Sequence, residues 1–202
     1  MKKNQVVRPD FTYEKSVGGS ILGIDEVGRG SIAGPVFAAG IVLDDKFNYP
    51  NINDSKKLSI VQRNNAFHYL KTYYKYVVQY SSVEEIDRIN ILQATLLAMK
   101  RVIDNTDTKY DYIFIDGNTK PKHIVNNIIN IISGDQKSLS IASASIIAKV
   151  IRDQFMNTLS EKYPQYLWHK NKGYCTRQHI DAIKKHGITR HHRRTFLKNL
   201  QL

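Results

Sequence analysis

Residues 21–30 read Ile-Leu-Gly-Ile-Asp-Glu-Val-Gly-Arg-Gly, and the interpretation of the whole chain begins from them. Their uncharged apolar start predicts a buried strand. Two adjacent carboxylates, Asp25 and Glu26, mark the end of that strand, and Gly28 and Gly30 leave the backbone open to a closely approaching ligand. An ordinary strand end followed by a polar turn produces the same short pattern, so other acidic residues and the charge distribution must decide.

The composition indicates one globular domain with a polyanionic partner. The 202 residues are 42% hydrophobic and 24% charged, which is enough for one substantial core. Thirty Lys and Arg exceed eighteen Asp and Glu by a formal +12, a balance typical of proteins that bind nucleic acid. Residues 162–202 hold ten Lys or Arg, one acidic residue and five of the seven His, interleaved with aromatic side chains that suit a nucleic-acid contact.

The single cysteine, Cys175, excludes an intramolecular disulfide and a cysteine-based zinc cluster. The first residues contain no apolar signal core, and no segment approaches the roughly 20 apolar residues that span a bilayer. We therefore expect a cytoplasmic protein without a membrane partner. Nothing in the sequence requires more than a monomer.

Hydrophobic patterns predict strands and helices in mixed order, which is typical of an α/β fold with a sheet covered by helices. The polar residues 1–20 predict a flexible, loosely held lead-in. Helices are expected to start at Ser59, where the side chain caps the first turn, and at Ser82, which forms a capping box with Glu85. The predicted strands cover residues 36–43, 74–80, 110–115 and 128–132, and the later helices cover residues 139–159 and 176–186.

Two further acidic residues follow predicted strands. Asp116 closes the strand at residues 110–115, and Asp135 lies in a Gly-Asp turn before the long helix. Acids that are brought together repel and raise one another's pKa unless cations hold them, so a cluster implies bound metal or a shared proton. Oxygen ligands without cysteine suit Mg²⁺ or Mn²⁺, and a pair of such ions about 3.5–4 Å apart can activate water and stabilise the leaving oxygen of a phosphodiester.

Two questions stay open at this point. Neighbouring side chains on a regular strand face opposite sides, so the strand is expected to end or bend at Asp25 and Glu26 if both serve one site. The fourth acid is either Asp135 or Asp153, and Asp153 has a structural alternative as an ion-pair partner of Arg152.

Several motifs, taken in their order along the chain, resemble bacterial ribonuclease HII over residues 21–197. The resemblance implies a ribonuclease H-like fold, with a mixed central sheet flanked by helices over residues 21–161. It also implies a small basic helical subdomain over residues 162–202 that contributes substrate contacts. The matching segments are residues 23–30, 33–36, 54–58, 115–117, 134–135, 141–153 and 172–174.

The resemblance implies an activity as well. Members of this family cut RNA in RNA–DNA hybrids and cut on the 5′ side of ribonucleotides embedded in duplex DNA, leaving 3′-hydroxyl and 5′-phosphate ends. Carried over to this chain, the catalytic and metal-binding acids are Asp25, Glu26, Asp116 and Asp135, which favours Asp135 over Asp153. The implied cofactor is a pair of Mn²⁺ or Mg²⁺ ions.

The same resemblance assigns substrate-binding residues. Gly28-Arg29-Gly30 matches the turn that contacts the 2′-hydroxyl at the RNA–DNA junction, largely through backbone groups. Tyr174 matches the tyrosine that packs on the next nucleotide, where an aromatic plane senses the junction. Lys56 and Lys57 are interpreted as phosphate clamps, with two solvated lysines as the alternative. Cys175 departs from the smaller residue that the family usually has there.

Two short features have both a functional and a structural interpretation. Ser143 and Ser145 either contact a phosphate or allow close packing of the long helix. Residues 191–194, His-His-Arg-Arg, form a phosphate-facing or structural segment rather than a metal site, although the adjacent histidines resemble a metal-binding pair. The competing functions are a non-catalytic binder of RNA–DNA hybrids and a different metal nuclease of the same fold, such as a resolvase or integrase, for which Tyr174 would have no explanation.

Overall fold

The computed structural model describes residues 8–122, 124 and 127–198. A mixed five-stranded sheet with the spatial order β3-β2-β1-β4-β5 forms its centre, which confirms the predicted fold class. Strand β1 pairs antiparallel with β2 and parallel with β4, and β5 continues the parallel part of the sheet. The strands are β1 (Ile21–Val27), β2 (Val36–Val42), β3 (Tyr76–Ser81), β4 (Tyr112–Asp116) and β5 (Asn127–Ile131).

Helices cover both faces of the sheet. Helix α4 packs on β1 and β2 from one side, while α3 packs on β2 and β3 from the other. None of the helices in the described part of the chain combines the length and the apolar character that crossing a bilayer requires. The helices of this part are α1 (Thr12–Val17), α2 (Ile60–Tyr73), α3 (Val83–Asp104), α4 (Leu139–Lys162), α5 (Trp168–Asn171), α6 (Arg177–His186) and α7 (Arg194–Leu197).

The predicted helix starts are confirmed. The Ser59 hydroxyl accepts a hydrogen bond from the Gln62 amide at 3.2 Å, and the Gln62 side chain bonds back to the Ser59 amide. Ser82 and Glu85 form the equivalent capping box at the start of α3. In each case two otherwise unpaired amides of the first turn are satisfied.

Strand β1 does not end at the carboxylates, which corrects the expectation from the sequence. It continues to Val27, because the antiparallel ladder with β2 still pairs Asp25 with Ala39 and Glu26 with Ala38. The pairing with β4 stops earlier, at Ile24 opposite Ile115. The sheet therefore opens beside the carboxylates on one edge of β1 only.

The lead-in also differs from the sequence expectation. Residues 12–17 form helix α1, whose Glu14 is buried. The Glu14 carboxylate accepts hydrogen bonds from the Ser138 hydroxyl at 2.6 Å and from the Ser140 amide at 3.0 Å. An acidic side chain at the N-terminus of α4 is favourable because the helix dipole is positive there. This buried carboxylate attaches the segment together with the apolar contacts of Phe11 and Val17 and the backbone hydrogen bonds between Asp10 and residues 137 and 139.

Candidate active site

Four carboxylates lie at one edge of the sheet and form the carboxylate cluster (Asp25, Glu26, Asp116 and Asp135). Strands β1, β4 and β5 are parallel, so their carboxyl ends meet at this edge. Asp116 is the last residue of β4, and a single 3₁₀ turn at Gly134–Gln136 follows β5 and carries Asp135. Crevices at the carboxyl ends of parallel strands are common ligand sites in α/β proteins.

Asp25 and Glu26 serve this edge from opposite faces of β1. Asp25 is 5% exposed and lies on the face covered by α4, beside Ser145, whereas Glu26 lines a cleft with Leu92 of α3. The alternation of side chains along a continuous strand requires this arrangement. Asp116 lies close enough to both for its charge to raise the pKa of each. No bend of β1 is needed to bring the three acids to one edge.

Burial and mutual repulsion make the cluster electrostatically costly. Burial, followed by the charges of Glu26 and Asp116, raises the pKa of Asp25 well above its usual value. Burial also raises the pKa of Glu26, against the opposing effect of Arg29, whose guanidinium lies 3.3 Å from the Glu26 carboxylate. Groups perturbed in this way need a proton or a cation to lie together at neutral pH.

Gly134 connects Asp116 to Asp135. The Gly134 amide donates a 2.6 Å hydrogen bond to the Asp116 carboxylate, which holds the next residue, Asp135, at the same edge. A Cβ at Gly134 would lie 2.5 Å from the Cδ1 atom of Ile141, so the close approach of this turn to α4 requires glycine. Burial, followed by the charges of Asp54 and Asp116, raises the pKa of Asp135.

The lysine loop (residues 54–58) lies over Asp135. The Lys56 ammonium is 3.8 Å from an Asp135 oxygen, and the Lys57 ammonium donates to the Gln136 side chain at 3.2 Å. Partial burial lowers the pKa of Lys56, but Asp135 and then Asp54 act more strongly together and keep that pKa above its usual value. Both predicted lysines are therefore beside the carboxylate cluster.

Asp54 is a member of this region that the sequence analysis did not assign. It is 5% exposed, and its charge contributes to the raised pKa of Asp135. The next residue, Ser55, shares a 3.0 Å hydrogen bond with Ser145 of α4. The Ser145 hydroxyl therefore holds the lysine loop against α4 and is not free to bind a phosphate. Ser143 is fully buried, which favours its packing role. The acidic start of the Asp-Ser-Lys-Lys motif was the available signal for Asp54.

Carboxylate oxygens are the type of ligand that a hard divalent cation prefers. In this structure, however, the carboxylates of the cluster face other partners. Within residues 8–122, 124 and 127–198, no three acids approach closely enough to hold one ion. Glu26 faces Arg29, Asp135 faces Lys56, and one oxygen of Asp116 accepts the Gly134 amide. These cations and donors offset the same charge that Mg²⁺ or Mn²⁺ would offset.

The glycine turn (residues 28–30) follows β1 and contains two glycines. The surroundings of these two residues differ. Gly28 has φ +95° and its Cβ would lie 2.2 Å from the Arg152 side chain, so both conformation and packing require glycine. A Cβ at Gly30 would contact nothing within 4 Å. Arg29 and Gly30 are exposed, and their amides donate to no other described residue. The open side of the turn thus presents free backbone donors.

Two fully buried arginines hold this turn. Arg193 donates to the carbonyl oxygens of Gly28 at 2.7 Å, Arg29 at 2.9 Å and Gly34 at 2.9 Å. Burial and then the nearby charge of Arg152 lower the pKa of Arg193. The sequence placed Arg193 only within a phosphate-facing or structural segment, and its bonds to the glycine turn were not predicted, because a basic residue in a basic segment gives no local sign of burial.

Arg152 provides a second brace from α4. It donates to the Ser31 hydroxyl at 2.8 Å, to the Pro35 carbonyl at 3.1 Å and to the Lys172 carbonyl at 3.0 Å. The suggested ion pair of Arg152 with Asp153 is therefore wrong, because this guanidinium turns inward toward backbone carbonyls. Asp153 instead pairs with Lys149 one helical turn earlier, at 2.8 Å.

Tyr174 lies next to the glycine turn. It forms an isolated antiparallel bridge with Ser31, and the Gly173 carbonyl accepts the Ile32 amide at 2.9 Å. The Arg152 guanidinium lies 5.7 Å from the centre of the Tyr174 ring, which remains 36% exposed. The adjacent Cys175 is an exposed free thiol. The structure thus brings the predicted junction-sensing residues together.

The comparisons with known proteins agree with this arrangement. Residues 22–199 match the family described as Ribonuclease HII. Ribonuclease HII of Wolbachia pipientis (strain wPip) is 47% identical over 189 residues, which cover 93% of this chain and 95% of that protein. Ribonuclease HII of Rickettsia prowazekii is 48% identical over 185 residues, which cover 91% of this chain and 95% of that protein.

The fold is similar to a solved structure as well. The crystal structure of ribonuclease H2 from Pyrococcus horikoshii superposes with a TM-score of 0.72 at 27% identity, covering 87% of this chain and 93% of that one. Family match, relatives and fold confirm the resemblance seen in the motifs. The chain belongs to the ribonuclease HII family, whose members are metal-dependent endoribonucleases of the ribonuclease H type.

Proposed function

We propose that this enzyme cuts the RNA strand of RNA–DNA hybrids and cuts duplex DNA on the 5′ side of embedded ribonucleotides, leaving 3′-hydroxyl and 5′-phosphate ends. One observation carries the proposal. Two members of the carboxylate cluster, Asp25 and Glu26, and the glycine turn are consecutive parts of one chain segment, and the neighbours of Tyr174 are hydrogen-bonded to the same segment. The carboxylates, which could support hydrolysis of a phosphodiester, thus lie beside the glycine turn and Tyr174, which could bind the sugar of a ribonucleotide.

The carboxylate cluster would hold divalent cations, Mg²⁺ or Mn²⁺. Such ions, when bound as a pair, supply an activated water and stabilise charge on the leaving oxygen. For this the Glu26 side chain must turn from Arg29, and the Asp135 side chain must turn from Lys56, since both carboxylates face those cations now. Asp25 and Asp116 are more fixed, because the Glu26 and Gly134 amides bond to their carboxylates.

The side chains of Arg29 and Lys56, once separated from the carboxylates, would then bind the substrate. Lys56 is 81% exposed along its side chain and Arg29 is 51% exposed, so both can reach a phosphate that approaches the cluster. A positive side chain beside a scissile phosphate screens the repulsion between that phosphate and the acids. This role agrees with the interpretation of Lys56 and Lys57 as phosphate clamps.

Selection of the ribonucleotide would rest on the glycine turn and Tyr174. The free amides of Arg29 and Gly30 are donors that a 2′-hydroxyl can accept, and the missing side chain at Gly30 allows the sugar edge to approach. The exposed part of the Tyr174 ring offers a flat apolar surface for the following deoxyribose. The basic residues of the segment 162–202 would bind the flanking phosphates.

Two alternative functions explain less of the molecule. A non-catalytic binder of hybrids would gain nothing from four acids next to phosphate, because they weaken binding electrostatically. A resolvase or integrase of the same fold would use the carboxylate cluster, but it would leave the two buried arginines and the free amides of the glycine turn without a purpose. The acids argue against the first alternative and the braced turn against the second.

Four substrates separate these functions in one assay with Mg²⁺ or Mn²⁺, with and without EDTA. They are an RNA–DNA hybrid, a DNA duplex with one ribonucleotide, an all-DNA duplex and a four-way DNA junction. We expect cleavage of the first two only, with the cut on the 5′ side of the single ribonucleotide and no cleavage in EDTA. Binding of the hybrid without cleavage would support the binder, whereas cleavage of all-DNA substrates would reject ribonucleotide selection.

A further inference from the structure

Two histidines form a buried hydrogen-bonded pair in the basic C-terminal segment, and we call them the histidine pair (His179 and His192). They are 0% and 1% exposed. Trp168 and Tyr166 enclose them, with the Trp168 and His192 rings 5.4 Å apart and the Tyr166 and His192 rings 4.8 Å apart. The proposed metal and phosphate chemistry makes no use of these imidazoles.

The hydrogen bonds determine which nitrogen of His179 carries its proton. The Trp168 indole nitrogen can only donate, and it lies 2.9 Å from Nε2 of His179. Nε2 is therefore an acceptor, and the proton of the neutral ring is on Nδ1. From there it is donated to the backbone carbonyl of Tyr174, at 2.9 Å.

The tautomer of His192 follows from that of His179. Nε2 of His192 lies 3.2 Å from the unprotonated Nε2 of His179, so His192 is the donor and shares the lone pair that also accepts the Trp168 indole, in the longer of the two bonds. Nδ1 of His192 then accepts the amide of Thr189 at 2.9 Å. The bonds run in one direction, from Thr189 through the histidine pair to the Tyr174 carbonyl, and only neutral imidazoles satisfy them all.

We propose that the neutral histidine pair is a positioning element that fixes the Tyr174 backbone against the glycine turn and so sets the preference for a ribonucleotide within DNA. The inference rests on the proposed role of Tyr174 in junction sensing. Tyr174 has one other carbonyl contact, from the Thr176 amide at 2.9 Å within the same tight turn. His179 is thus the partner that ties this carbonyl to a separate helix, α6.

The position of His192 strengthens the inference, because its neighbours hold the other half of the recognition element. Ala33 forms a bridge with His192, and the Gly34 amide donates to the His191 carbonyl at 2.8 Å. The next residue, Arg193, binds the carbonyls of the glycine turn. Residues 191–193 therefore contact the glycine turn and the loop after it directly, and they are linked to Tyr174 through His179.

The surroundings of the pair oppose protonation. Burial is the first cause that lowers the pKa of His179, and burial followed by the charges of His179 and His191 lowers the pKa of His192 to about 4. Among the described residues, the other titratable groups near the pair are Tyr166, which packs on both rings, and His191 and Arg193, which flank His192 in the chain. A proton added to Nε2 of His179 would face the Trp168 and His192 donors, so the two hydrogen bonds that hold this ring in place would be lost, while Nδ1 would still donate to the Tyr174 carbonyl.

Nitrogen-15 NMR of the histidine side chains tests the tautomers directly. At pH 7 we expect His179 as the Nδ1–H tautomer and His192 as the Nε2–H tautomer, both neutral. On acid titration the ring signals of Tyr174 should shift with the midpoint of His192, and they should not do so in His192→Gln, which keeps a neutral donor. Reversed tautomers, a charged imidazole at pH 7, or Tyr174 signals that ignore the titration of His192 would overturn the proposal.

Two substitutions of His179 separate positioning from packing. His179→Gln keeps an acceptor for Trp168 and His192 but loses the donor to Tyr174, whereas His179→Asn keeps that donor and loses the acceptor. The readout is the ratio of kcat/KM for a duplex with one ribonucleotide to that for a continuous hybrid. We expect His179→Gln to lower this ratio about threefold to tenfold, the value of one hydrogen bond, and His179→Asn to preserve it.

The failures are distinguishable. A Tyr174→Ala variant with an unchanged ratio would reject the proposed role of Tyr174 and the positioning inference with it. A changed ratio in Tyr174→Ala together with an unchanged ratio in His179→Gln would reject the inference alone. Equal loss in His179→Gln and His179→Asn would mean that the imidazole acts only by packing, which also rejects it. Absence of cleavage by the unmodified enzyme would reject the proposed function itself.

Discussion

The carboxylate cluster and the glycine turn share strand β1, which carries Asp25 and Glu26 and leads into the turn, but they are held by opposite means. The cations beside the cluster are exposed, with side-chain exposures of 81% for Lys56 and 51% for Arg29. The guanidiniums behind the turn, Arg152 and Arg193, are 0% exposed and donate to the turn and its flanking loop. Exposed ion pairs are weak and exchange easily, while buried charged donors are costly to lose.

This difference suits the two tasks. In the proposed function the carboxylate cluster exchanges its present cations for metal ions and then admits a phosphate, so weak partners are an advantage. In the same proposal the glycine turn distinguishes one hydroxyl group from a hydrogen atom, which requires a backbone that is already in place before the substrate binds. Substitutions in the cluster should therefore change chemistry without loss of stability, and substitutions behind the turn should change stability first.

The largest effect is expected for Asp116→Asn. The asparagine oxygen can still accept the Gly134 amide, so the turn that carries Asp135 is retained. Loss of one ligand charge should lower kcat/KM by at least about 100-fold in Mg²⁺. Because Asp116 repels Asp25 and Glu26, the variant should unfold at the same temperature as the unmodified enzyme or a higher one in EDTA. A lowered melting temperature would mean that Asp116 is structural.

Arg193→Lys should show the opposite pattern. Lysine keeps the charge but cannot reach the carbonyls of Gly28, Arg29 and Gly34 together. We expect a loss of about 3 kcal/mol in the free energy of unfolding, because buried carbonyls are left without donors. Urea denaturation in EDTA measures it. Arg194→Lys, at an exposed neighbouring position, is the matched control and should leave stability unchanged.

A pair of glycine substitutions tests the two sides of the turn separately. Gly28→Ala puts a Cβ at φ +95° and 2.2 Å from Arg152, and it should cost about 2–3 kcal/mol of stability. The Cβ of Gly30→Ala would meet no atom of the described residues within 4 Å beyond its chain neighbours, so this variant should stay within about 0.5 kcal/mol of the unmodified enzyme. Only Gly30→Ala should lower ribonucleotide cleavage in a fully stable protein. If Gly30→Ala were fully active, the open side of the turn would not contact the sugar.

The same contrast explains what the sequence could predict. The strands, the capped helices and two members of the cluster follow from local patterns, which are an apolar run before Asp25 and another before Asp116, whereas the local pattern at Asp135 left Asp153 as an alternative. The end of β1 was mispredicted, because the ladder with β2 that extends it cannot be read from β1 itself. The direct assignment of the acids and of Tyr174 needed the family resemblance.

The contacts that hold the glycine turn could not be predicted from the sequence, for a physical reason. Arg193 and the glycine turn are more than 160 residues apart, and a basic residue in a basic segment gives no sign of being buried. Arg152 looked like the neighbour of an acid, Asp153, yet its bonds go to residues 31–35 and 172. Local patterns predict exposed charges well and buried long-range donors poorly.

The smallest effect is expected for Lys56→Gln, which tests the exposed side of the comparison. Lys56 faces Asp135 at 3.8 Å through a highly exposed ammonium, so its removal should change stability by less than about 0.5 kcal/mol. If Lys56 moves from Asp135 to a phosphate, KM should rise about threefold to tenfold, and the salt dependence of binding should lose roughly one phosphate contact. Lys75→Gln, at the opposite edge of the sheet, should change neither quantity. Equal effects of Lys56→Gln and Lys75→Gln would show that Lys56 is an ordinary solvated lysine. The ammonium beside Asp135 would then have no role in binding a phosphate when metal ions bind the carboxylates.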